Sequence, residues 1–236
     1  MQDKYYTMII LNIETSTSCC STAITINGMA VASRENLLNA NHASELPLFV
    51  DELLKEAKQQ AWHLDAVALS QGPGSYTGLR IGASLAKGLC YGLNIPLLPI
   101  DTLQVLCASL NRQIEEDAWL CRMMDTRRME VYTALYSPID IQCKGEVEAK
   151  IIDETAFHQE LSQQKVYFFG NGSDKCIHMI THPNAQFISG IVPQAKYMGG
   201  LAEAYTAPLD IKELAYYEPF YLKEFVATPS HVKGLK

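Results

Sequence analysis

The sequence has no apolar run long enough to span a membrane. Its first apolar stretch starts at Met8 and already stops at Asn12, whereas a transmembrane helix needs about 18 or more apolar residues in succession. No small-residue cleavage site follows that stretch, so a secretory signal is not indicated either. We therefore expect a cytoplasmic protein.

Paired cysteines and an excess of basic residues are missing as well. None of the 7 cysteines forms a C-x-x-C pair, which argues against a disulfide framework and against a zinc ribbon. The 19 Lys and Arg residues are outnumbered by 26 Asp and Glu residues, and the net charge is -7. This balance excludes a protein that holds nucleic acid by its charge alone.

The chain does contain ample material for a folded core. Hydrophobic residues make up 48% of the 236 residues and charged residues only 19%, which excludes a disordered chain. At roughly 150 residues per domain, this length predicts two compact halves. We place them at residues 8–111 and 112–236, with a terminal helix that can pack back on the first half, and treat residues 1–7 as an unstructured extension.

The first half opens with three apolar strands, followed by alternating helices and strands. Asn27-Gly28 is the favoured pair for a two-residue I′ hairpin turn. The periodicity predicts a helix at about His42–Lys58, with Pro47 tolerated in its first turn. The predicted strands and remaining helices are Met8–Glu14, Cys20–Ile26, Met29–Glu35, Ala66–Ser70, Ser75–Gly92, Ile95–Ile100 and Thr102–Asn111.

The second half repeats the opening of three antiparallel strands. The predicted elements are strands at Trp119–Met124, Glu130–Tyr136, about Gly145–Ile152 and Val166–Phe169, and helices at about Glu154–Gln164, after Gly172 to Ile180, and Gln194–Ala204. A duplicated βββαβα unit is the α/β ribonuclease-H-like arrangement of the two-domain actin, Hsp70 and sugar-kinase superfamily. We therefore predict this fold class.

The most specific segment is the strand-to-helix turn GPGSYTGLRIG at residues 72–82. Its glycine spacing matches neither the Walker loop nor the Rossmann turn. Free amides at the helix start, together with the hydroxyls of Ser75 and Thr77, would still suit an anion. The simpler interpretation, which we favour, is a tight turn whose glycines allow close packing.

The helix after this turn is apolar on nearly its whole circumference. Such a helix must be buried on two sides, one against its own sheet and one against another helix or another chain. Each interior glycine costs about 1 kcal/mol relative to alanine, which indicates that something packs close to the backbone. We predict a partner interface on this helix and the His42–Lys58 helix. The alternative is an intrachain contact between them, and both hold if the pair forms half of a four-helix bundle.

The predicted partner interface extends over both helices. Its residues are His42, Glu45, Leu46, Phe49, Val50, Leu53, Gly74, Thr77, Gly78, Ile81, Gly82, Leu85 and Leu89. An arginine in place of Gly82 is then expected to abolish association and to leave the monomer folded.

Two turns correspond to the phosphate-binding loops of actin-like proteins. The residues at the corresponding positions, weak candidates for binding a nucleotide, are Glu14 and Thr15 in the first turn and Asp125 in the second. Gly170 and Gly172 stand where an adenosine-binding turn would lie. Neither phosphate turn contains glycine, so side chains hinder a close approach of the backbone to phosphate. We predict no cofactor.

Histidine patterns do not indicate a metal site. His178 and His182 are four residues apart, but Pro183 ends any helix there. His42 and Glu45, near a helix start, suit an acid/base pair, although a capping or interface hydrogen bond is the commoner role of such a pair. We assign no catalytic residue.

Several segments together resemble the bacterial TsaB family, also called YeaZ, over most of the chain from Met8. They are ILNIETST, the helix start at His42 with Glu45, GPGSYTGLRIG, Asp125-x-Arg127-x-x-Glu130-Val131-Tyr132 and Glu218-Pro219-x-Tyr221-Leu222. The resemblance implies a non-catalytic protein of actin-like fold that pairs with the catalytic subunit TsaD. With the ATPase TsaE, these proteins install threonylcarbamoyl on the adenosine beside the tRNA anticodon.

The resemblance also implies which chemistry this chain lacks. The catalytic relative carries a metal-binding His-x-x-x-His pair, whereas the equivalent stretch here, Asp101–Leu106, has no histidine. We expect a scaffold that activates a TsaD-type subunit, pairs with itself when alone, and meets tRNA only indirectly or weakly. The alternatives are a nucleotide-binding small-molecule kinase or carbamoyl-transfer enzyme and, least favoured, an M22-type peptidase. The sequence leaves open whether Arg122, Arg127 or Arg128 touches tRNA.

Overall fold

The computed structural model describes residues 7–110, 114–115, 117–137 and 146–222, without the side chain of Arg127. These residues form two mixed sheets of five strands each. None of the helices in the described part combines the length and the apolar character that a membrane crossing requires.

The first sheet has three antiparallel strands and two parallel ones. It consists of β1 (Ile9–Glu14), β2 (Cys20–Ile26), β3 (Met29–Asn36), β4 (Ala66–Gly72) and β5 (Leu97–Asp101). The strand order is β3-β2-β1-β4-β5, with β4 parallel to β1 and β5 parallel to β4. Asn27 and Gly28 both have positive φ, 48° and 74°, as a I′ turn requires, so the predicted hairpin turn is confirmed.

Two long helices cover one face of this sheet, α1 (His42–Gln59) and α2 (Tyr76–Leu93), and α3 (Thr102–Ala108) follows β5. Leu46, Leu53 and Ala86 are fully buried among apolar side chains of β1, β2 and β4. The Ser75 hydroxyl accepts a hydrogen bond from the Gly78 amide and caps α2. The apolar stripes of both helices therefore form one core with the sheet.

The second sheet repeats the topology of the first. It consists of β6 (Trp119–Arg127), β7 (Glu130–Tyr136), β8 (Glu148–Ile151), β9 (Val166–Phe169) and β10 (Ala185–Ile188). Its order, taken from the other edge, is β8-β7-β6-β9-β10, with β6, β7 and β8 antiparallel and β9 and β10 parallel to β6. The predicted duplicated ribonuclease-H-like fold is confirmed.

Helices in the second half are shorter than predicted. After α4 (His158–Gln163), the helix expected up to Ile180 is only a 3-10 helix at Asp174–Cys176. The helix expected at Gln194–Ala204 is a 3-10 helix at Ala195–Tyr197 and a separate α5 (Gly199–Glu203). This second prediction was wrong because the two glycines that start α5 are poor helix formers, and Gly199 lies directly against the backbone of Gly28.

Two short elements were missed by the sequence analysis, β10 and α6 (Ile211–Leu214). Each has only four residues, too few to show a period. The third helix ends at Ala108 and β8 begins at Glu148, so both are shorter than predicted; the predicted bounds themselves, Asn111 and Gly145, lie outside the described residues.

The end of the described chain lies against the first half. Ala195, Met198 and Ala202 are fully buried against Ile10, Ala68 and other residues on the second face of the first sheet. Leu209 pairs with Leu97 of β5. The halves meet through α3, whose Leu103 and Leu106 pack with residues of β6, β7 and β9.

Candidate functional site

The β1–β2 turn lies directly beneath the start of α2. The Ser75 amide donates a hydrogen bond to the Ser16 carbonyl at 2.6 Å. A Cβ at Gly74 would collide with the carbonyl oxygen of Ser16, and one at Gly78 with that of Thr15. The glycines of GPGSYTG are therefore required for close packing of α2 on this turn.

Glu14 and Thr15, the first pair of nucleotide-site candidates, are fully buried there. Glu14 Oε1 accepts hydrogen bonds from the Ser16 amide at 2.6 Å and from the Ser16 hydroxyl at 2.5 Å. No partner is found for Glu14 Oε2 among the described residues, and burial raises the pKa of this carboxyl. Both side chains face the interior of the first half.

The β6–β7 turn holds Asp125, the candidate of the second half. Its carboxylate pairs with the ammonium of Lys175, and its amide donates to the side-chain oxygen of Asn171 at 3.2 Å. A Cβ at Gly172 would stand 2.9 Å from the Asp125 nitrogen, and one at Gly170 would collide with the carbonyl of Met123. The structure thus brings Asp125, Gly170 and Gly172 together by packing the turn after β9 against the β6–β7 turn.

Lys175 was missed by the sequence analysis. It lies 50 positions from Asp125, and no local pattern marks it, because only the fold brings the two turns together.

An apolar groove runs between α1 and α2, with a volume of about 450 Å³. We call it the α1–α2 groove; its lining residues are Ala43, Leu46, Pro47, Tyr76, Thr77, Arg80, Ile81, Ser84 and Leu85. Arg80 Nη1 donates to the Tyr76 hydroxyl at 2.5 Å, and the Tyr76 ring lies 4.9 Å from that of Tyr221. The groove therefore has an apolar floor and a polar, aromatic edge.

Only some of the predicted interface residues lie at the surface of the first half. Leu46, Thr77, Ile81 and Leu85 line the groove, while His42, Glu45, Phe49, Gly74 and Leu89 are partly exposed. Val50 and Leu53 are buried in the core of the first half, and Leu46 forms the fully buried floor of the groove.

Gly78 and Gly82 are buried and do not lie on the surface of the predicted interface. Both face the β1–β2 turn, and a Cβ at Gly82 would collide with the Thr15 hydroxyl. This geometry argues against the prediction that an arginine at Gly82 leaves the monomer folded, because that side chain would enter the packed interior.

His42 and Glu45 do not form an acid/base pair in this structure. A His42 ring nitrogen lies 3.0 Å from the Cys19 carbonyl. Glu45 accepts hydrogen bonds from the Asn41 amide and from the Asn36 side chain, both at 2.9 Å, and these bonds lower the pKa of its carboxyl. The capping interpretation of Glu45 fits this geometry.

Pro47 lies in the second turn of α1, not in the first as predicted. The helix begins at His42, so proline removes the amide that would bond the Ala43 carbonyl. This carbonyl therefore lacks its i+4 donor, and Ala43 and Pro47 both line the groove.

The three arginines differ in their access to a partner. Arg122 is fully buried, donates to the Leu103 carbonyl at 2.5 Å and stacks on the Tyr136 ring, so it presents no surface to RNA. The side chain of Arg127 lies outside the described residues, and Arg128 is exposed.

The fold defines a class: a duplicated ribonuclease-H-like protein of the actin superfamily. The family model of TsaD, tRNA N6-adenosine threonylcarbamoyltransferase, matches residues 36–176. The chain belongs to these TsaD-like proteins and, within them, to the TsaB (YeaZ) family. The resemblance seen in the sequence is confirmed.

Three relatives support this membership. The Haemophilus influenzae protein named tRNA threonylcarbamoyladenosine biosynthesis protein TsaB is 32% identical over 53% of this chain and 52% of its own length. The Escherichia coli protein of the same name is 30% identical over 66% of this chain and 67% of its own length. The structure of YeaZ from Pseudomonas aeruginosa is 26% identical, with a TM-score of 0.75 over 91% of this chain and 100% of that chain. The match thus spans only about half the length of the H. influenzae relative.

Proposed function

We propose that this protein is a non-catalytic subunit in the biosynthesis of threonylcarbamoyladenosine in tRNA, and that it binds and activates a TsaD-type catalytic subunit. Membership of the TsaB family supports the pathway. The observation that carries the partner role is the α1–α2 groove, a concave apolar surface on a helix pair whose opposite sides already fill the core.

The proposed role excludes nucleotide chemistry of its own. Glu14 and Thr15 are buried beneath α2, and Asp125 is paired with Lys175. The Ser16 and Cys19 amides of the first turn already donate to side-chain oxygens of Glu14 and Thr17, and the Asp125 amide of the second turn donates to Asn171, so these three amides are not free to hold phosphate. This geometry disfavours the kinase or carbamoyl-transfer alternative, and the peptidase alternative gains no support from it.

The α1–α2 groove and the net charge of the chain also bear on three other proposed partners: a second copy of the chain, a TsaE-type ATPase and tRNA. In the proposed role, this chain would pair with a second copy of itself through the same groove when the catalytic subunit is absent. A TsaE-type ATPase would join the assembled pair. With a net charge of -7, this subunit would meet tRNA indirectly or weakly.

The partner surface is tested by placing an arginine in the groove. Ala43 is exposed and lines the groove, so Ala43→Arg removes no core atom and puts a charge against an apolar surface. We expect at least about tenfold weaker association with the TsaD-type subunit and with a second copy, measured by sedimentation.

Gln59→Arg is the matched control, because Gln59 is exposed at the far end of the same helix. Equal unfolding midpoints of the two variants would show that the fold is intact. Association of Ala43→Arg equal to that of Gln59→Arg would overturn the proposed surface.

Nucleotide binding is measured by titrating ATP into the isolated chain and into its complex with the catalytic subunit. We expect heat of binding only from the complex. Tight binding by the isolated chain would overturn the non-catalytic role in favour of the nucleotide-binding enzyme.

A further inference from the structure

The ammonium of Lys175 sits among three oxygen atoms of the β6–β7 turn. It donates to the carbonyl oxygens of Arg128 and Glu130, each at 2.7 Å, and to Asp125 Oδ1. We call these three acceptors the oxygen cage. They come from three residues of one turn, whereas Lys175 comes from the segment after β9.

The geometry of the cage is that of a filled cation site. A lysine ammonium has three N–H donors, and the cage supplies one acceptor for each. The two carbonyl distances are typical of charge-assisted hydrogen bonds. Only 24% of the Lys175 side chain is exposed, so most of its stem is covered by the protein.

Other residues of the β6–β7 turn help to hold the three cage oxygens in place around the Lys175 ammonium. Arg128 has a φ of 50°, which is uncommon for a residue other than glycine. The Thr126 hydroxyl donates to the Glu130 side chain at 2.9 Å or to its carbonyl at 3.0 Å. A cation at the centre offsets the mutual repulsion of oxygens that face one another.

We propose that the oxygen cage is a cation site and that Lys175 is its tethered resident ion. Without the ammonium, the cage takes a free ammonium or primary alkylammonium ion from solution. In the natural chain the tether keeps the site filled at any salt concentration, so the turn stays closed. The inference is independent of the proposed function, because the α1–α2 groove lies on the first half.

Chemical rescue tests this proposal on the full chain. Lys175→Ala removes the ammonium and its stem and leaves room for a small ion. We expect the unfolding midpoint to fall by roughly 5 °C. Ammonium or methylammonium chloride should then restore part of the loss, through binding to the folded state, whereas tetramethylammonium chloride at the same concentration should not, since it has no N–H donor.

Two further variants make the test specific. Lys175→Met keeps the volume of the stem and should lose stability without rescue, because the thioether fills the space. Lys165→Ala removes an ordinary surface ion pair with Glu115 and should show neither the loss nor the rescue.

The unfolding midpoints of these variants distinguish a cation site from an ordinary ion pair. Selective recovery of Lys175→Ala by ammonium supports the cage. Three results would overturn it: a loss no larger than that of Lys165→Ala, equal recovery with ammonium and tetramethylammonium, or equal recovery of Lys175→Met.

Discussion

The β1–β2 turn and the β6–β7 turn hold equivalent positions in the two halves, and a glycine-containing segment packs closely on each, but the second turn is also bound by a lysine side chain. In the first half, the backbone of α2 rests directly on the turn, and glycines make the contact possible. In the second half, the ammonium of Lys175 reaches across to the turn. A duplicated topology therefore preserves the position of a turn without preserving the interactions that stabilise it.

The length of the following helix explains the difference. The turn after β4 leads into the 18-residue α2, whose N-terminus can be seated on the neighbouring turn. The turn after β9 leads only into a 3-residue 3-10 helix, which offers no comparable surface. In the second half the Gly172 amide donates to the Met123 carbonyl at 3.0 Å, and the long side chain of Lys175 adds the contacts with the Arg128 and Glu130 carbonyls.

The strongest test of this comparison is Gly78→Ala. The added methyl group would collide with the Thr15 carbonyl, and neither backbone can move cheaply, so we expect a loss of about 2–3 kcal/mol in the free energy of unfolding. Gly88→Ala is the matched control in the same helix, where a Cβ has nothing within 4 Å, and it should gain about 0.5–1 kcal/mol. Urea denaturation measures both, and equal stabilities would contradict the proposed role of the glycine.

A smaller effect is expected from Gly172→Ala in the second half. Its Cβ would stand 2.8 Å from the Met124 carbonyl carbon and 2.9 Å from the Asp125 nitrogen. We expect a loss of about 1–2 kcal/mol, because the lysine that holds this turn is flexible and can follow a small shift. Gly200→Ala, with open space around the new methyl, is the control. A larger loss from Gly172→Ala than from Gly78→Ala would reverse the comparison.

The smallest effect concerns Glu14→Gln, and it depends on pH. Burial raises the pKa of Glu14 in the folded chain, so the contribution of this group to stability is complete below the unfolded pKa of about 4.3 and is lost as pH rises through the folded value. Glutamine keeps an acceptor for Ser16 and carries no charge. The stability of the variant relative to the natural chain should therefore increase with pH, and urea midpoints that stay parallel across the pH series would contradict this.

Much of the fold was accessible from the sequence because the signals are local. Asn27-Gly28 favours positive φ, and α1 and α2 are long enough to be recognised as helices from their sequence. The helix after β9 and the helix at Gln194–Ala204 were predicted wrongly, because short segments carry few turns of period and tertiary contacts decide their form.

The candidate site was only partly accessible, for a related reason. The sequence indicated that α1 and α2 hold the partner-facing residues, but apolar side chains look alike whether they fill a core or line a groove. Leu53 and Leu85 could be separated only when the structure buried one in the core and placed the other in the groove.

By itself, the sequence determined the repeated opening of three antiparallel strands, the two long helices of the first half and the family, since these depend on local period and on a distinctive motif. The tertiary structure alone decided what the glycines of α2 touch, where Glu14 is buried and how Lys175 reaches the oxygen cage. Those contacts join residues far apart in the chain, and no local pattern encodes the distance between them.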